Sequence, residues 1–301
     1  MHNTVPKIAA VSDLTGFGRC ALTVTIPIIS SMGIQCCPVP TVLFSNHPAY
    51  PQFYSSDLTA LLPDYVEHWK KLDLKFDGIL SGYLSSPEQI DLTRKLITDC
   101  AKPDTVVIVD PVMGDHGRLY SVFTEDMCIK IKELAALAHI LTPNLTECCR
   151  LTDTPYHDGD WSEDELLSLM KKMHRYPAEK IAVSGITSGD DIVTMIYDKD
   201  SKKEPSDHGV SFHRVKKTAA ERSGTGDVFS AVIAAGAVNR LSFYESVALA
   251  GNFVRDALLY TEKHNLPSTD GVYFEPLLGK LVNKGENKED CHETDEQKDF
   301  H

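Results

Sequence analysis

Basic residues are scarce in this chain: 30 Lys and Arg stand against 43 Asp and Glu, giving a formal net charge of -13 over 301 residues. Duplex nucleic acid is bound through clustered Lys and Arg, and no such cluster occurs, so small-molecule chemistry is favoured over nucleic-acid binding. Apolar runs are short as well, none reaching the ~18 residues that a membrane span requires. The opening "MHNTVPKIAAVSD" holds too short a leader for a signal peptide. Spaced metal-binding cysteines are also missing. Cys20, Cys36, Cys37, Cys100, Cys128, Cys148, Cys149 and Cys291 include two vicinal pairs but no C-x-x-C or C-x-x-H spacing. They read as reduced, mostly buried thiols, and the expected location is the cytoplasm. No repeat period is present.

What the chain does contain is an alternation. Hydrophobic residues make up 42% and charged residues 24%, as in ordinary globular proteins. Short β-branched runs ("KIAAVSD", "CCPVPTVLF", "FDGILSGY", "TVVIVDPVM", "AHILTPN", "KIAVSGI", "DIVTMIYD", "VSFHRVKK") are separated by segments of helical period at about 19 to 32, 56 to 71, 87 to 101, 125 to 138, 145 to 151, 163 to 175, 227 to 239 and 243 to 263. Several strands are nearly all apolar, as strands covered on both faces must be. Strand then helix, repeated, predicts an α/β fold with right-handed crossovers and a mostly parallel sheet. Ser86 to Gln89, Ser162 to Glu165 and Ser242 to Glu245 each fit a capping box. Residues 1–282 are expected to form one domain. The acidic 283–301 segment, with almost nothing to bury, is expected to be a disordered tail.

In an open parallel sheet ligands gather beyond the carboxyl ends of the strands. Six candidate strands end in polar or Gly-Pro signatures: Ser12-Asp13, Ser45-Asn46-His47, Ser81-Gly82-Tyr83, Asp110-Pro111, Thr142-Pro143-Asn144 and Ser184-Gly185. A seventh stretch, "RSGTGDVFSAVIAAG", places Asp227 after a glycine-rich turn and before an apolar helix. Gly224 and Gly226 permit a tight turn that aims the amides of 224 to 227 outward at a helix start, which favours a phosphate. Asp227 is placed to accept a proton from a hydroxyl attacking that phosphorus. The plainer alternative is an acid that complements the helix dipole. Glu147 likewise fits either a cap on Asn144 or, with Asp110, an oxygen ligand for Mg²⁺.

The segments "TVLFSNHPAY", "LSGYLSSPEQ", "VDPVMGDHGRLY", "TPNLTE" and "RSGTGDVFSA" resemble, in order, the signature segments of pyridoxal kinases of the ribokinase-like superfamily, in particular the branch labelled pyridoxamine kinase. The resemblance spans about residues 7 to 262. It implies a three-layer α/β/α fold, usually homodimeric, and ATP-dependent phosphorylation of the 5′-hydroxymethyl group of a B6 vitamer. By matching position, Asp227 would be the base, and Gly224, Thr225 and Gly226 would hold the transferring phosphate. Asp110 and Glu147 would serve ATP and Mg²⁺ with Asn144 beside them, and Ser184 would lie near the nucleotide. Asn46, His47 and Tyr83 would surround the pyridine ring, and Asp115 to Tyr120 would fold over ATP. Use of a monovalent cation stays open.

The chain departs from better-known relatives at Asp13, where many have Ser, and at Pro48 and Ala49, where Thr and a further polar residue are common. A carboxylate at position 13 can pair with the pyridine nitrogen, the phenolic oxygen or a cationic aminomethyl group. Arg19, in "TGFGRC", receives no role. The rival readings are a hydroxymethylpyrimidine kinase of the same fold, which usually carries Cys in place of Asp227, and a catalytically silent nucleotide-binding protein.

Overall fold

A computed structural model describes residues 5–201, 209–217 and 220–282. The expected tail from residue 283 lies outside the described residues. In chain order the elements are β1 Lys7–Thr15, α1 Leu22–Ser31, β2 Gln35–Phe44, β3 Ser55–Asp57, α2 Leu62–Lys71, β4 Phe76–Ser81, α3 Pro87–Cys100, β5 Ala101–Val109, β6 Gly114–Asp115, β7 Arg118–Leu119, α4 Glu125–Ala135, β8 Ile140–Leu141, α5 Leu145–Leu151, α6 Glu163–Met173, β9 Lys180–Ser188, β10 Asp191–Asp198, β11 Val210–Lys216, α7 Thr225–Val238 and α8 Phe243–Lys263.

One sheet runs in the order β11-β10-β9-β8-β5-β4-β1-β2-β3, and β6 and β7 form a separate hairpin. The pairings from β9 through β2 are parallel. Antiparallel pairings occur at the two margins, β9 to β10 to β11 and β2 to β3. This is the mostly parallel α/β sheet expected from the alternation.

Side-chain alternation along the central strands sorts the core into two layers. Ala9, Val11, Ile79, Val107, Val109, Leu141 and Val183 face the helices α2 to α6. Ile8, Leu80, Ile108, Ile140 and Ala182 face α1, α7 and α8. Both faces are covered, which explains the apolar runs. Helix α7 is buried continuously from Val228 to Gly236, so it shows no amphipathic period. A Cβ at Gly236 would collide with Ser246, which is why glycine sits where α7 crosses α8.

Several boundaries shift from expectation. The helix expected from residue 56 begins at Leu62, because Ser55–Asp57 pair with the end of β2 as an edge strand. The helix expected from 19 begins at Leu22. The Ser162–Glu165 and Ser242–Glu245 capping boxes are complete. At Ser86 only half is made: Ser86 caps the Gln89 N–H, whereas the buried Gln89 amide is taken by Ser85 N–H, Thr41 and Thr59. Ser184-Gly185 does not end its strand. The pair lies opposite Thr194 alone, and the strand continues to Ser188 after this bulge, with Gly185 at φ 72°.

Candidate active site

The site begins with a glycine turn. Gly224 is the N-cap of α7 at φ 85°, and a Cβ there would overlap the Arg19 carbonyl oxygen. No side chain caps this helix, and the space around Gly226 is open, so the first-turn amides remain for a ligand. Thr225 uses its hydroxyl locally, donating to the Arg222 carbonyl at 3.1 Å. Helix α7 starts two residues earlier than expected, which puts Asp227 in its first turn.

Asp227 is partly buried, and desolvation raises its pKa, opposed by hydrogen bonds from the backbone amides of Ala21 and of Asp227 itself. Ala21 holds a left-handed φ of 50°, a strained conformation for a residue with a Cβ. Asp227, Asp110, Ser230, Ser12 and Gly82 line one small cavity of about 10 Å³, the room of a single water.

Around it three further acids converge from β1, β5 and α5. Ser230 Oγ donates to Asp110 at 2.5 Å and lies 3.1 Å from Thr142 Oγ1. Burial, with the Asp227 charge, pushes Asp110 up to about 7. Glu147 is 3% exposed and raised well above the ordinary range by burial and then by Asp110. Its carboxylate accepts Met113 N–H at 3.1 Å and Asn144 N–H at 2.8 Å, while Asn144 accepts Glu147 N–H at 2.9 Å. The capping reading of Glu147 is therefore correct geometrically, and the same carboxylate also stands beside Asp110. Asn144 donates to the Gly114 carbonyl at 2.9 Å and bridges to Ser184, whose N–H reaches the Pro143 carbonyl at 3.0 Å. Asn144, Glu147 and Ser184 are thus one bonded group, and the charge of Asp110 is felt at Glu147.

Asp13 belongs to the other side. It is 7% exposed, stands opposite a two-residue bulge in β2, and accepts the Thr15 hydroxyl at 2.7 Å. Burial raises it to about 7, with a contribution from Asp227. Tyr83 is pushed up to about 12 by burial, then by the charges of Asp13 and Asp57. The Tyr83 ring packs against Phe44 at 6.4 Å and Phe123 at 6.2 Å. Asn46 and His47 lie in the loop after β2, and their side chains bond locally: Asn46 donates to Gln52 O at 2.9 Å, and His47 Nδ1 accepts Ala49 N–H at 3.1 Å. Pro48 and Ala49 are exposed at the tip of that turn.

Three residues escaped the sequence reading of the site. Ser230 carried a usable signal, because three residues after Asp227 a helical side chain shares its face. Tyr120 was visible only as the end of the Asp115 to Tyr120 loop; burial, then the charges of Glu147, Asp115, Asp110 and Asp227, raise its pKa. Ala21 acts through backbone conformation, which leaves no residue signature, whereas Ser12, named with Asp13 as a strand end, accepts the Tyr83 N–H at 3.1 Å. Among the described residues no three His, Cys, Asp or Glu side chains are grouped as a metal site.

The chain resembles known proteins in sequence and fold. The family model for phosphomethylpyrimidine kinase matches residues 52–271. A crystal structure from Bacteroides thetaiotaomicron, provisionally named a phosphomethylpyrimidine kinase, superposes with TM-score 0.87 at 35% identity, covering 93% of this chain and 95% of that one. A second crystal form of it, with pyridoxal, gives TM-score 0.86 at 34% identity over 92% and 96%. Among curated relatives, pyridoxal kinase of Arabidopsis thaliana is 30% identical over 208 residues, 67% of this chain and 64% of that protein. Pyridoxine/pyridoxal/pyridoxamine kinase of Bordetella pertussis is 30% identical over 157 residues, and the match spans 54% of its length. With a matching family model over most of its length and the ribokinase-like sheet that carries it, this chain belongs to the phosphomethylpyrimidine kinase family.

Proposed function

We propose that the chain is an ATP-dependent kinase that phosphorylates the 5′-hydroxymethyl group of vitamin B6 as pyridoxal, pyridoxamine or pyridoxine. The observation that carries this reading is the placement of Asp227 in the uncapped first turn of α7, lining one cavity with Asp110. The first-turn amides after Gly224 bind the transferring phosphoryl group, and the helix dipole favours its charge. Asp227 accepts the proton of the 5′-hydroxyl as its oxygen attacks the γ-phosphorus. The new oxygen–phosphorus bond forms, the bond to the bridging oxygen breaks, and ADP leaves with the electron pair.

Mg²⁺ fits the acids present. Glu147 is buried and Asp110 half-buried; the two repel each other and pair with no Lys or Arg among the described residues. Both oxygens of Glu147 already accept backbone N–H groups, which suits binding through water. The ion supplies charge neutralisation of the ATP phosphates. Asn144 and Ser184 line the nucleotide side, and Tyr83, Asn46, His47 and Asp13 the ring side.

The vitamer reading is favoured over hydroxymethylpyrimidine by the acid at 227, by the pyridoxal held in the Bacteroides thetaiotaomicron structure and by the names of the curated relatives. The family model's own description keeps the pyrimidine as the second reading. The deciding assay is ADP release with ATP and either compound. Pyridoxal-dependent release with the pyrimidine inert is the expected result, the reverse preference supports the rival, and binding without turnover supports a silent nucleotide-binding protein.

Three wider features complete the proposal. Residues 1–282 act as one domain. The exposed Leu43, Phe53, Tyr54, Leu61 and Tyr65 along the β2-β3-α2 margin suit a homodimer. The seven described cysteines are free thiols, which suits the cytoplasm.

A further inference from the structure

Arg19, without a role in the sequence, is the hub of an assembly that touches both sides of the site. Its Nε donates to both Glu275 oxygens, at 2.7 and 2.9 Å, and its Nη1 donates to the Asp270 carbonyl at 3.2 Å. The guanidinium lies over the Tyr273 ring at 4.8 Å. The Arg19 backbone N–H donates to the same Asp270 carbonyl at 3.1 Å, and Arg19 bridges Gly271 in parallel fashion.

The segment that Arg19 grips reaches in two directions. Val272 N–H donates to the Ser223 carbonyl at 3.0 Å, one residue before the Gly224 turn. The Asp270 carboxylate accepts the hydroxyl of Tyr50, in the loop after β2 that carries Asn46 and His47. Gly271 and Gly224 both pack against the Arg19 backbone so closely that a Cβ on either would collide. Three backbone segments therefore meet with no slack, and movement of one is transmitted to the others.

The loop itself is closed by its own bonds, Ser45 N–H to Tyr54 O at 2.9 Å and Tyr54 N–H to Ser45 Oγ at 2.8 Å. Toward the end of β1 and the C-terminal segment it makes the Tyr50–Asp270 bond, the Tyr50 ring contact edge-on to Phe17 at 5.8 Å, and the backbone bonds His47 N–H to Phe17 O at 2.8 Å and Phe17 N–H to Ser45 O at 3.1 Å.

We propose that residues 268–275 form a strap that fixes the distance between the phosphate turn and the acceptor-side loop, with Tyr50 and Asp270 as positioning residues and Arg19–Glu275 as the anchor. The kinetic part rests on the vitamer-kinase reading. The structural part does not, because hydrogen exchange reads it without turnover.

In Tyr50→Phe the aromatic contact survives and one bond is lost. Amides of 45–54 should exchange faster while those of 223–228 do not change. KM for pyridoxal should rise about 5- to 10-fold, the usual worth of such a bond, with kcat and the KM for ATP within about 2-fold. Asp270→Asn keeps an acceptor oxygen and should restore near-normal values. Tyr50→Phe combined with Asp270→Ala should be no worse in KM than the worse single variant. Arg19→Ala should quicken exchange in both segments and raise both KM values. Unchanged exchange in 45–54, an equal rise in the KM for ATP, or additive single effects would overturn the strap. Faster exchange in a wild-type background that shows no pyridoxal turnover would keep the strap and remove the vitamer reading instead.

Discussion

At the scale of single residues, the site is a set of acids held away from water and close to one another. Asp13 shows the cost. Its folded-state pKa is raised to about 7 from 3.8, so the folded protein binds its proton more tightly than the unfolded chain does. Stability is then full below the unfolded value and is lost as pH rises through about 7. Asp13→Asn keeps the shape and removes the charge, so its melting temperature should exceed wild type at pH 8, a gain of order 2–4 kcal/mol, and match it near pH 4. Equal differences at both pH values would show that burial of charge is not the cause. Under the proposed function Asp13 belongs to the acceptor side, where a carboxylate favours a cationic group. Asp13→Ser should lower kcat/KM for pyridoxamine relative to pyridoxal, and an unchanged ranking across the three vitamers would reject a discriminating role. The acids at 110, 147 and 227 were legible because each follows a strand or opens a helix in a polar-after-apolar pattern; Asp13 was picked out as a strand end, although β1 runs on past it to Thr15. Tyr120 and Arg19 were not, since their partners lie far along the chain: Arg19 answers to Glu275 and Asp270, which no local pattern connects to it.

Secondary elements show why the acids end up together. The turn before α7 is specified by Gly224, whose φ of 85° and contact with the Arg19 carbonyl exclude a side chain. Gly224→Ala should cost about 1–3 kcal/mol through backbone strain and displace the first-turn amides, so turnover should fall further than the melting temperature suggests. A variant with normal turnover and a normal melting temperature would contradict this account of the turn. The helix start itself was legible in the Gly-x-Gly-Asp run. The bulges were not. A bulge is a mismatch between two strands, one residue facing two, and neither Asp13 nor Ser184-Gly185 announces its partner's register in its own sequence. Capping boxes were legible where the acid or amide has no competitor, at Ser162 and Ser242, and failed at Ser86, where Gln89 is drawn into the protein by Thr41 and Thr59.

Across the whole molecule, the sheet order brings β1, β4, β5 and β8 side by side, so the carboxyl ends of strands distant in sequence open onto one rim. The alternation of strands and helices was enough to foresee this class of fold. The antiparallel margins were beyond it, because periodicity does not carry strand direction. One margin presents Leu61, 64% exposed, and Tyr54, 71% exposed. Under the homodimer reading, Leu61→Glu should shift the chain to monomer in light scattering. A wild-type chain that is already monomeric at working concentrations would remove that reading. The central claim, that the α7 tip arms an alcohol beside bound ATP, is tested most directly by product formation from ATP and pyridoxal in wild type and Asp227→Ala, with ATP binding measured alongside. The account predicts intact ATP binding and a kcat lower by ~10²- to 10⁴-fold. Phosphorylated pyridoxal formed by the variant at the wild-type rate would contradict it.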